Sequence, residues 1–316
     1  MSKKTIANLS AFVIWFALVS ASQNACSRPA SRDKVNAHNL DYNKPKVVGT
    51  FDNPEISESS GIAASLCQKD VFWTHNDAGD GPFIFAIDGI GRSLGTWRVE
   101  NAKNTDWEDM STAKGADGKC YLYIGEIGNN QLARTEAAVY RVAEPLVNTA
   151  TVTKTAAAPE TDRAAILRFR YPDTPHNAET LLLEPRSGTI YILTKRVDGP
   201  AAIYRLEKPV FDLPDVAVAE KVGEIAVPSV PNGLLTGGAA SPDGSRVMLC
   251  DYSSGYELVL PSGAASFDEI WKQKPAPVDL GSRKQGESVT YSADGRSVMA
   301  TSEKKGAPLI QITRSN

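Results

Sequence analysis

The chain lacks the sequence signatures of several common enzyme classes. It contains no CxxC pair and no HExxH, and it has only three histidines in 316 residues. These absences argue against a cysteine-ligated zinc site and a zincin metalloprotease. The stretch GRSLG at residues 91–95 matches GxSxG, but a strand-like run, LGTWRVE, overlaps and follows it where a nucleophile elbow requires a helix. The run GIGRSLG departs from the GxGxxG spacing of a dinucleotide-binding loop. We interpret His75 and His176 as core or surface residues rather than as members of a Ser-His-Asp triad.

No single sign of charge dominates the chain, and no basic stripe is present. Lys and Arg together number 34 and Asp and Glu 37, so the formal net charge is -3. A nucleic acid is therefore not an expected partner. The composition, 42% hydrophobic and 22% charged, is typical of a globular protein with one large core. We expect a monomer.

The N-terminus has the pattern of a secretory signal peptide over residues 1–21. Lys3 and Lys4 precede the apolar run AFVIWFALV, and small residues follow up to Ala21. The run is too short to span a membrane securely. Two alternatives stay open, a retained anchor and a lipoprotein anchored at Cys26, although Gln23 stands where a lipobox has an aliphatic residue. Residues 22–45 are predicted to be a flexible polar segment, and the protein to be exported to the periplasm or beyond.

An exported protein is exposed to oxidants, so its cysteines can pair. Cys67 and Cys120 each lie just before a strand-like run, DVFWTH and YLYIG. If the two runs are equivalent in neighbouring repeats, the thiols meet and form a disulfide; the alternative is two free thiols. Cys250, in VMLCDY, is predicted to lie in the core.

Long helical periodicity is absent, and short strand-like runs separated by tight turns recur instead. Asp-Gly pairs at 117, 243 and 294, and Ser187-Gly188, mark two-residue hairpins. A glutamate stands near the start of the preceding strand in four repeats, and Thr236 takes that place in the fifth; the glutamates are Glu58, Glu108, Glu179 and Glu287. A period of about 50 residues with about four strands per repeat is typical of a β-propeller.

We therefore predict an all-β fold, a single five-bladed propeller over residues 46–316. The last repeat lacks its fourth strand, and the N-terminal run KVVGTF is available to complete it. Closing one blade with strands from both termini removes the exposed sheet edges. Six blades is the alternative, because the long interval between Glu108 and Glu179 has room for a degenerate blade.

In a propeller, the starts of the first strands and the ends of the second strands lie on the same face of the disc. The first-strand set is Glu58, Asp106, Glu108, Glu179 and Glu287, and the second-strand set is His75, Asn76, Asp77, Glu126, Lys195, Asp251 and Glu303. Converging carboxylates repel one another unless something compensates their charge. Three compensations stay open: a bound cation, ion pairs with Lys195 and Arg134, or backbone N–H groups donated by the neighbouring blade. A calcium ion would suit this oxygen-rich set, with Glu58, Asp77, Glu108, Glu179 and Glu287 as ligands.

The order of several motifs resembles a family of exported bacterial β-propeller proteins, most of unassigned function. The motifs are ESSGI, WTHNDAGD, DWEDM, LYIGEIGNN, LRFRYPD, HNAETL, YILTK and QGESVTYSADG, and they cover roughly residues 55–310. More distantly, the acidic channel mouth is similar to that of esterase-like phytase-related and of paraoxonase and gluconolactonase-type propellers. That resemblance implies a channel calcium that polarises a phosphate or lactone oxygen, with Asn129 and Asp77 supporting the glutamates. The SPDG and SADG turns resemble those of the protein-binding propeller of the Tol system.

Three functions follow as hypotheses. The first is an exported binding module that recognises an envelope protein or a small ligand, with Asn76, Asn129, Asn130, Arg134 and Lys195 contacting the ligand. The alternative is a metal-assisted hydrolase of phosphoester or lactone substrates, with Asp77 or Glu108 as the catalytic general base and Lys195 or Arg134 holding an anion. A glycosidase that uses a pair of axial carboxylates is the second alternative.

Overall fold

The computed structural model describes residues 42–148 and 153–315, and these form five sheets around one axis, all antiparallel except for one short parallel strand. The predicted signal peptide, Cys26 and nearly all of the polar segment lie outside these ranges and stay predictions. Within the described ranges, no helix has both the length and the apolar character needed to cross a membrane.

Each sheet is one blade, and in the first four blades the strands run outward from the axis in chain order. Blade one is β2 (Ser59–Ala64), β3 (Phe72–Asn76), β4 (Phe83–Ile87) and β5 (Ser93–Arg98). Blade two is β6 (Trp107–Lys114), β7 (Cys120–Glu126), β8 (Ala137–Ala143) and β9 (Ala165–Arg170), with the short β13 (Ala217–Val218) added outside β9. Blade three is β10 (Ala178–Leu183), β11 (Ile190–Thr194), β12 (Ala201–Leu206) and β14 (Glu220–Ile225).

The last two blades follow the same plan. Blade four is β15 (Gly237–Ala240), β16 (Arg246–Cys250), β17 (Gly255–Val259) and β18 (Ala276–Val278), and blade five is β19 (Ser288–Tyr291), β20 (Ser297–Thr301), β21 (Pro308–Thr313) and β1 (Lys46–Thr50). Two short 3₁₀ helices, Thr155–Ala157 and Phe267–Lys272, lie in connections.

The predicted closure is confirmed, because β1 pairs antiparallel with β21 and supplies the fourth strand of blade five. The inner strands β2, β6, β10, β15 and β19 contact one another in that order, and β19 contacts β2. Five blades are therefore correct rather than six. The long interval before Glu179 is taken up by β9 and the 3₁₀ helix Thr155–Ala157.

The hairpin turns adopt the conformation that their sequences predict. Gly244 and Gly295 have φ of 67° and 68°, a region that other residues adopt only at a cost. Asp243 fixes its turn by accepting hydrogen bonds from the Ser241 hydroxyl at 2.6 Å and the Ser245 N–H at 3.0 Å. These turns join the first and second strands on the face of the disc opposite to the predicted site.

The core lies between neighbouring blades. Trp73, Trp97 and Trp107 belong to one cluster between blades one and two, and Trp107 is fully buried. The predicted disulfide is present, and it links Cys67 in the β2–β3 turn with Cys120 at the start of β7. It therefore joins two blades covalently. Cys250 is buried and unpaired, as expected.

Candidate functional site

Bulges in the inner strands position the acidic residues. The pairing of β6 with β7 skips Glu108, and the pairing of β10 with β11 skips Glu179. A bulge leaves one residue unpaired and redirects its side chain. The equivalent residue of blade one is Ser60, in the bulge between Ser59 and Gly61. Glu58 lies two residues earlier and is exposed at the rim.

The acidic mouth is the set of charged residues that interact electrostatically across the open end of the channel. Blades one, two, three and five supply its carboxylates, and blade three also supplies a cation. The set is Asp77, Asp106, Glu108, Glu179, Glu287, Glu303 and Lys195. Mutual repulsion among so many carboxylates requires protons, cations or hydrogen-bond donors in compensation.

Three of these carboxylates form a candidate cation site. One carboxylate oxygen each of Asp77, Asp106 and Glu108 lies within 4.8 Å of the other two. Gly128 leaves them room, because a Cβ there would overlap the Glu108 Oε1 and approach the Asp106 Oδ2 to 2.6 Å. Glu108 is only 4% exposed. Its carboxylate accepts no hydrogen bond from any residue in the described ranges.

The electrostatic environment disfavours a bare negative charge on Glu108. Burial raises its pKa well above the usual range, and the charges of Glu179, Asp77 and Asp106 raise it further. Burial likewise raises the pKa of Asp77 and that of Asp106. At neutral pH this group of three therefore requires a proton or a cation among its oxygens.

Lys195 compensates a different part of the acidic mouth. Its Nζ donates to both Glu179 oxygens at 2.6 Å and to the Tyr252 hydroxyl oxygen at 2.7 Å. Burial raises the pKa of Glu179 to about 7, although Lys195 opposes the rise. Burial and the nearby Glu179 raise the pKa of Glu287 to about 9.

Arg134 is held on the outer side of the mouth. It forms an ion pair with Glu126 and donates to the Gly128 carbonyl, and its Nη2 lies 3.9 Å from Asp106 Oδ2. The Glu126 carboxylate also accepts the N–H groups of Thr105 and Asp106, at 2.9 and 3.0 Å. Glu126 therefore orders the segment that carries Asp106.

The predicted amide ligands occupy different environments. Asn76 is buried, and its Oδ1 accepts the N–H of Ser57 at 3.0 Å. The Asn129 side chain donates to the Arg134 carbonyl oxygen at 2.9 Å and accepts the Arg134 N–H at 3.1 Å. These two bonds close the loop. Asn130 is exposed on the same loop. Asn76 and Asn129 thus use their side chains to order the loops around the mouth.

Asp109 lies beside Glu108 in the chain, yet its hydrogen-bond environment differs. It is fully buried, and its oxygens accept the N–H groups of Met110 at 2.8 Å, Leu181 at 3.0 Å and Gly238 at 3.2 Å. These donors belong to blades two, three and four. The cross-blade backbone bonds that the sequence suggested for the glutamates are made by Asp109. No local pattern identifies its donors, which come from distant strands.

Tyr252 is the other residue that sequence reasoning missed. It follows β16 in blade four, where Thr236 takes the place of an inner-strand glutamate. The sequence signal that could have identified it is its position, two residues beyond the end of a second strand. His75, by contrast, is buried against Trp107, and burial lowers its pKa to about 4, so the imidazole is neutral.

No protein-family model matches the chain, and no curated protein matches it. Among solved structures, the chain is similar to the soluble aldose sugar dehydrogenase of Escherichia coli in its apo-form, at 9% identity and a TM-score of 0.46. That match covers 86% of this chain and 99% of the other. It is also similar to a gluconolactonase from Xanthomonas campestris, at 12% identity over 86% of this chain and 89% of the other, with a TM-score of 0.46. Similarity this distant carries no argument, so fold and function rest on the strand pairing and the site.

Proposed function

We propose that this protein is an exported, cation-dependent hydrolase whose active site is the acidic mouth. The observation that carries the proposal is Glu108, a buried carboxylate that faces Asp77 and Asp106 and accepts no hydrogen bond from the described residues. Three carboxylates and no nitrogen or sulfur ligand form a donor set that suits a hard cation, and calcium tolerates irregular oxygen cages best. The disulfide agrees with export to an oxidising compartment.

The residues around this cation site supply the other elements of a hydrolytic reaction. When bound, a divalent cation activates a substrate oxygen as a Lewis acid. Asp77 is half-buried at the rim and borders both the cation site and solvent. It is therefore the residue that we assign as general base for the attacking water.

The charges at the mouth favour a neutral substrate. Lys195 uses its three N–H groups on Glu179 and Tyr252. Arg134 uses one N–H on Glu126 and another on the Gly128 carbonyl. Within the described residues, both cations are thus already paired with acceptors of the protein. Because the surrounding carboxylates repel an anion, a lactone or another neutral ester fits better than a phosphoester.

A binding module for a cationic ligand or a basic protein surface is the second candidate. Its support is the exposure of Glu58 and Asp80, which extend the negative charge from the mouth onto the surface of the disc. In that case the cation stabilises the fold without taking part in chemistry. The glycosidase hypothesis has no specific observation in its favour.

The test measures hydrolysis of an aliphatic lactone, a p-nitrophenyl ester and p-nitrophenyl phosphate after treatment with a chelator and then with added calcium. We expect hydrolysis of the first two substrates only, lost with the chelator and restored by calcium. Glu108→Gln should lower kcat/KM by about 100-fold or more. The matched control, Glu207→Gln, changes an exposed glutamate that is remote from the mouth and should be neutral.

Melting temperature distinguishes the two candidates. Calcium should raise it in the wild-type protein, because a ligand that binds only the folded state stabilises that state. A calcium-dependent rise without hydrolysis of any substrate would favour the binding module. The absence of both responses would refute a cation site at Glu108.

A further inference from the structure

We propose that Tyr252 is the residue that protonates the leaving oxygen of the substrate, an inference that rests on the proposed hydrolase. Blade four supplies no carboxylate to the acidic mouth, and Tyr252 is its contribution. The backbone oxygen of Tyr252 accepts the N–H of Gly286 at 2.9 Å, which fixes the residue beside Glu287. The tyrosine is half-buried, so part of its side chain stays accessible from the mouth.

The direction of its hydrogen bonds shows that Tyr252 has a proton to give. The ammonium group of Lys195 can only donate, so the phenolic oxygen is the acceptor in their 2.7 Å contact. The hydroxyl hydrogen of Tyr252 then needs an acceptor of its own. No residue of the described ranges provides one. The hydroxyl is therefore a donor held in place by Lys195 and left free for a ligand.

Lys195 is suited to support this donor rather than to replace it. Its three N–H groups are occupied by the two Glu179 oxygens and by Tyr252. Its Nζ also lies 4.9 Å from the centre of the Tyr252 ring, where it is attracted to the π face. A positive charge so close to the phenolic oxygen stabilises the tyrosinate that proton donation leaves behind.

The step balances for ester or lactone hydrolysis. The oxygen of a water molecule forms a bond to the acyl carbon, and its proton passes to Asp77. The bond between the acyl carbon and the leaving oxygen breaks, and that oxygen takes the phenolic proton of Tyr252. Asp77 then loses its proton to solvent, and the tyrosinate regains one from solvent. The products are a carboxylic acid and an alcohol, which remain one molecule in the case of a lactone.

The test is the dependence of Tyr252→Phe on the leaving group. Alkyl esters and aliphatic lactones release a strongly basic oxygen that needs a proton, whereas a p-nitrophenyl ester releases an oxygen that does not. We expect kcat to fall about 100-fold or more for the alkyl esters and lactones, and by less than about 3-fold for the p-nitrophenyl ester of the same acid. Tyr121→Phe, near the start of β7 at the opposite face, removes a hydroxyl that bonds the turn residue Asp117 and is the matched control.

The outcomes separate this inference from the proposed function. An equal loss with both leaving groups, or no loss with either, would overturn the assignment of Tyr252 and leave the hydrolase standing. A wild-type protein that hydrolyses neither substrate would overturn both. The melting-temperature response to calcium should be retained in Tyr252→Phe, which shows that the substitution leaves the cation site formed.

Discussion

Glu108 and Asp109 are consecutive residues of one inner strand, and both are buried carboxylates. Asp109 lies at the level of the channel that we call the throat, where backbone N–H groups from three blades converge on it. Glu108 lies one residue nearer the mouth, and no donor of the described chain reaches its carboxylate. Burial alone therefore does not distinguish a structural carboxylate from a functional one. The hydrogen-bond donors that reach it do, because a carboxylate with donors stabilises the fold and one without them is available to a ligand.

The end of the channel opposite to the acidic mouth also differs from the mouth in its lining. It is lined largely by small or apolar residues, among them Ala63, Met110, Leu183 and Ala239, around a cavity of about 40 Å³. The disulfide joins two blades on the same face. The carboxylate satisfied by backbone N–H groups and the covalent cross-link thus lie at the throat and below it, and the uncompensated charge lies above it.

The largest expected effect follows from removing the throat carboxylate. Asp109→Ala leaves three buried N–H groups without an acceptor, at roughly 1–3 kcal/mol each. We expect the free energy of unfolding to fall by about 5 kcal/mol, as measured by urea denaturation. Asp117→Ala, at an exposed turn, is the control and should change little. A loss below about 1 kcal/mol for Asp109→Ala would remove the distinction between throat and mouth.

The disulfide is the second way to weaken the structural part of the molecule. The paired cysteines are 53 residues apart, and a cross-link over such a loop restricts the unfolded chain by about 4 kcal/mol. The double variant Cys67→Ser and Cys120→Ser should lose roughly that stability in the same denaturation experiment. Its melting temperature should still rise with calcium, because the cysteines lie on the face opposite to the mouth. Loss of the calcium response would show that the two regions are coupled.

The sequence predicts the parts of this molecule that depend on local patterns. The Asp-Gly turns, the spare strand Lys46–Thr50 and the repeat of four strands are enough to predict a five-bladed ring. Glu108 and Glu179 are recognisable because each begins an inner strand. The donors to Asp109 are not, since Leu181 and Gly238 become its neighbours only when three blades assemble. The bulge at Ser60, which leaves Glu58 at the rim, likewise depends on strand pairing.

The pH dependence of stability is the third expected effect, and the acidic mouth gives it an unusual sign. Folding raises the pKa of Glu179 to about 7 and that of Glu287 to about 9, from the ordinary glutamate pKa of 4.5, chiefly by burial. Above the unfolded pKa the folded state therefore binds more protons than the unfolded state. The stabilisation is complete below about pH 4.5 and is lost as the pH rises through the folded values.

Urea denaturation of the metal-free protein between about pH 5 and pH 9 measures this effect. We expect the free energy of unfolding to fall with pH, by at most about 1.4 kcal/mol per pH unit for each group. Saturating calcium should flatten the slope, because a cation favours the ionised carboxylates. Stability that increases steadily over this range in the metal-free protein would contradict the assigned burial of these groups.

The smallest expected effect is the change in stability caused by Glu108→Gln. It is also the most specific, because its sign depends on whether the cation is bound. Glu108→Gln removes one negative charge from the mouth and changes the side-chain volume little. In the metal-free protein at or above neutral pH, relief of repulsion should stabilise the fold by about 1 kcal/mol. With calcium in excess, the same variant should be less stable than the wild type. The wild type gains about 2.7 kcal/mol at a calcium concentration 100 times Kd, and the variant loses a ligand for that ion.

Asp109→Asn is the matched control for this reversal, since it makes the same carboxylate-to-amide change at the neighbouring residue in the throat. It should lower stability with and without calcium, because it weakens the acceptor for the N–H groups of Leu181 and Gly238. If Glu108→Gln lowers stability under both conditions as well, Glu108 has the same structural role as Asp109 and the acidic mouth is not a cation site. If calcium reverses the sign of the stability change for Glu108→Gln alone, the two adjacent carboxylates of this strand have separate roles. The difference then lies in which of them accepts hydrogen bonds from backbone N–H groups.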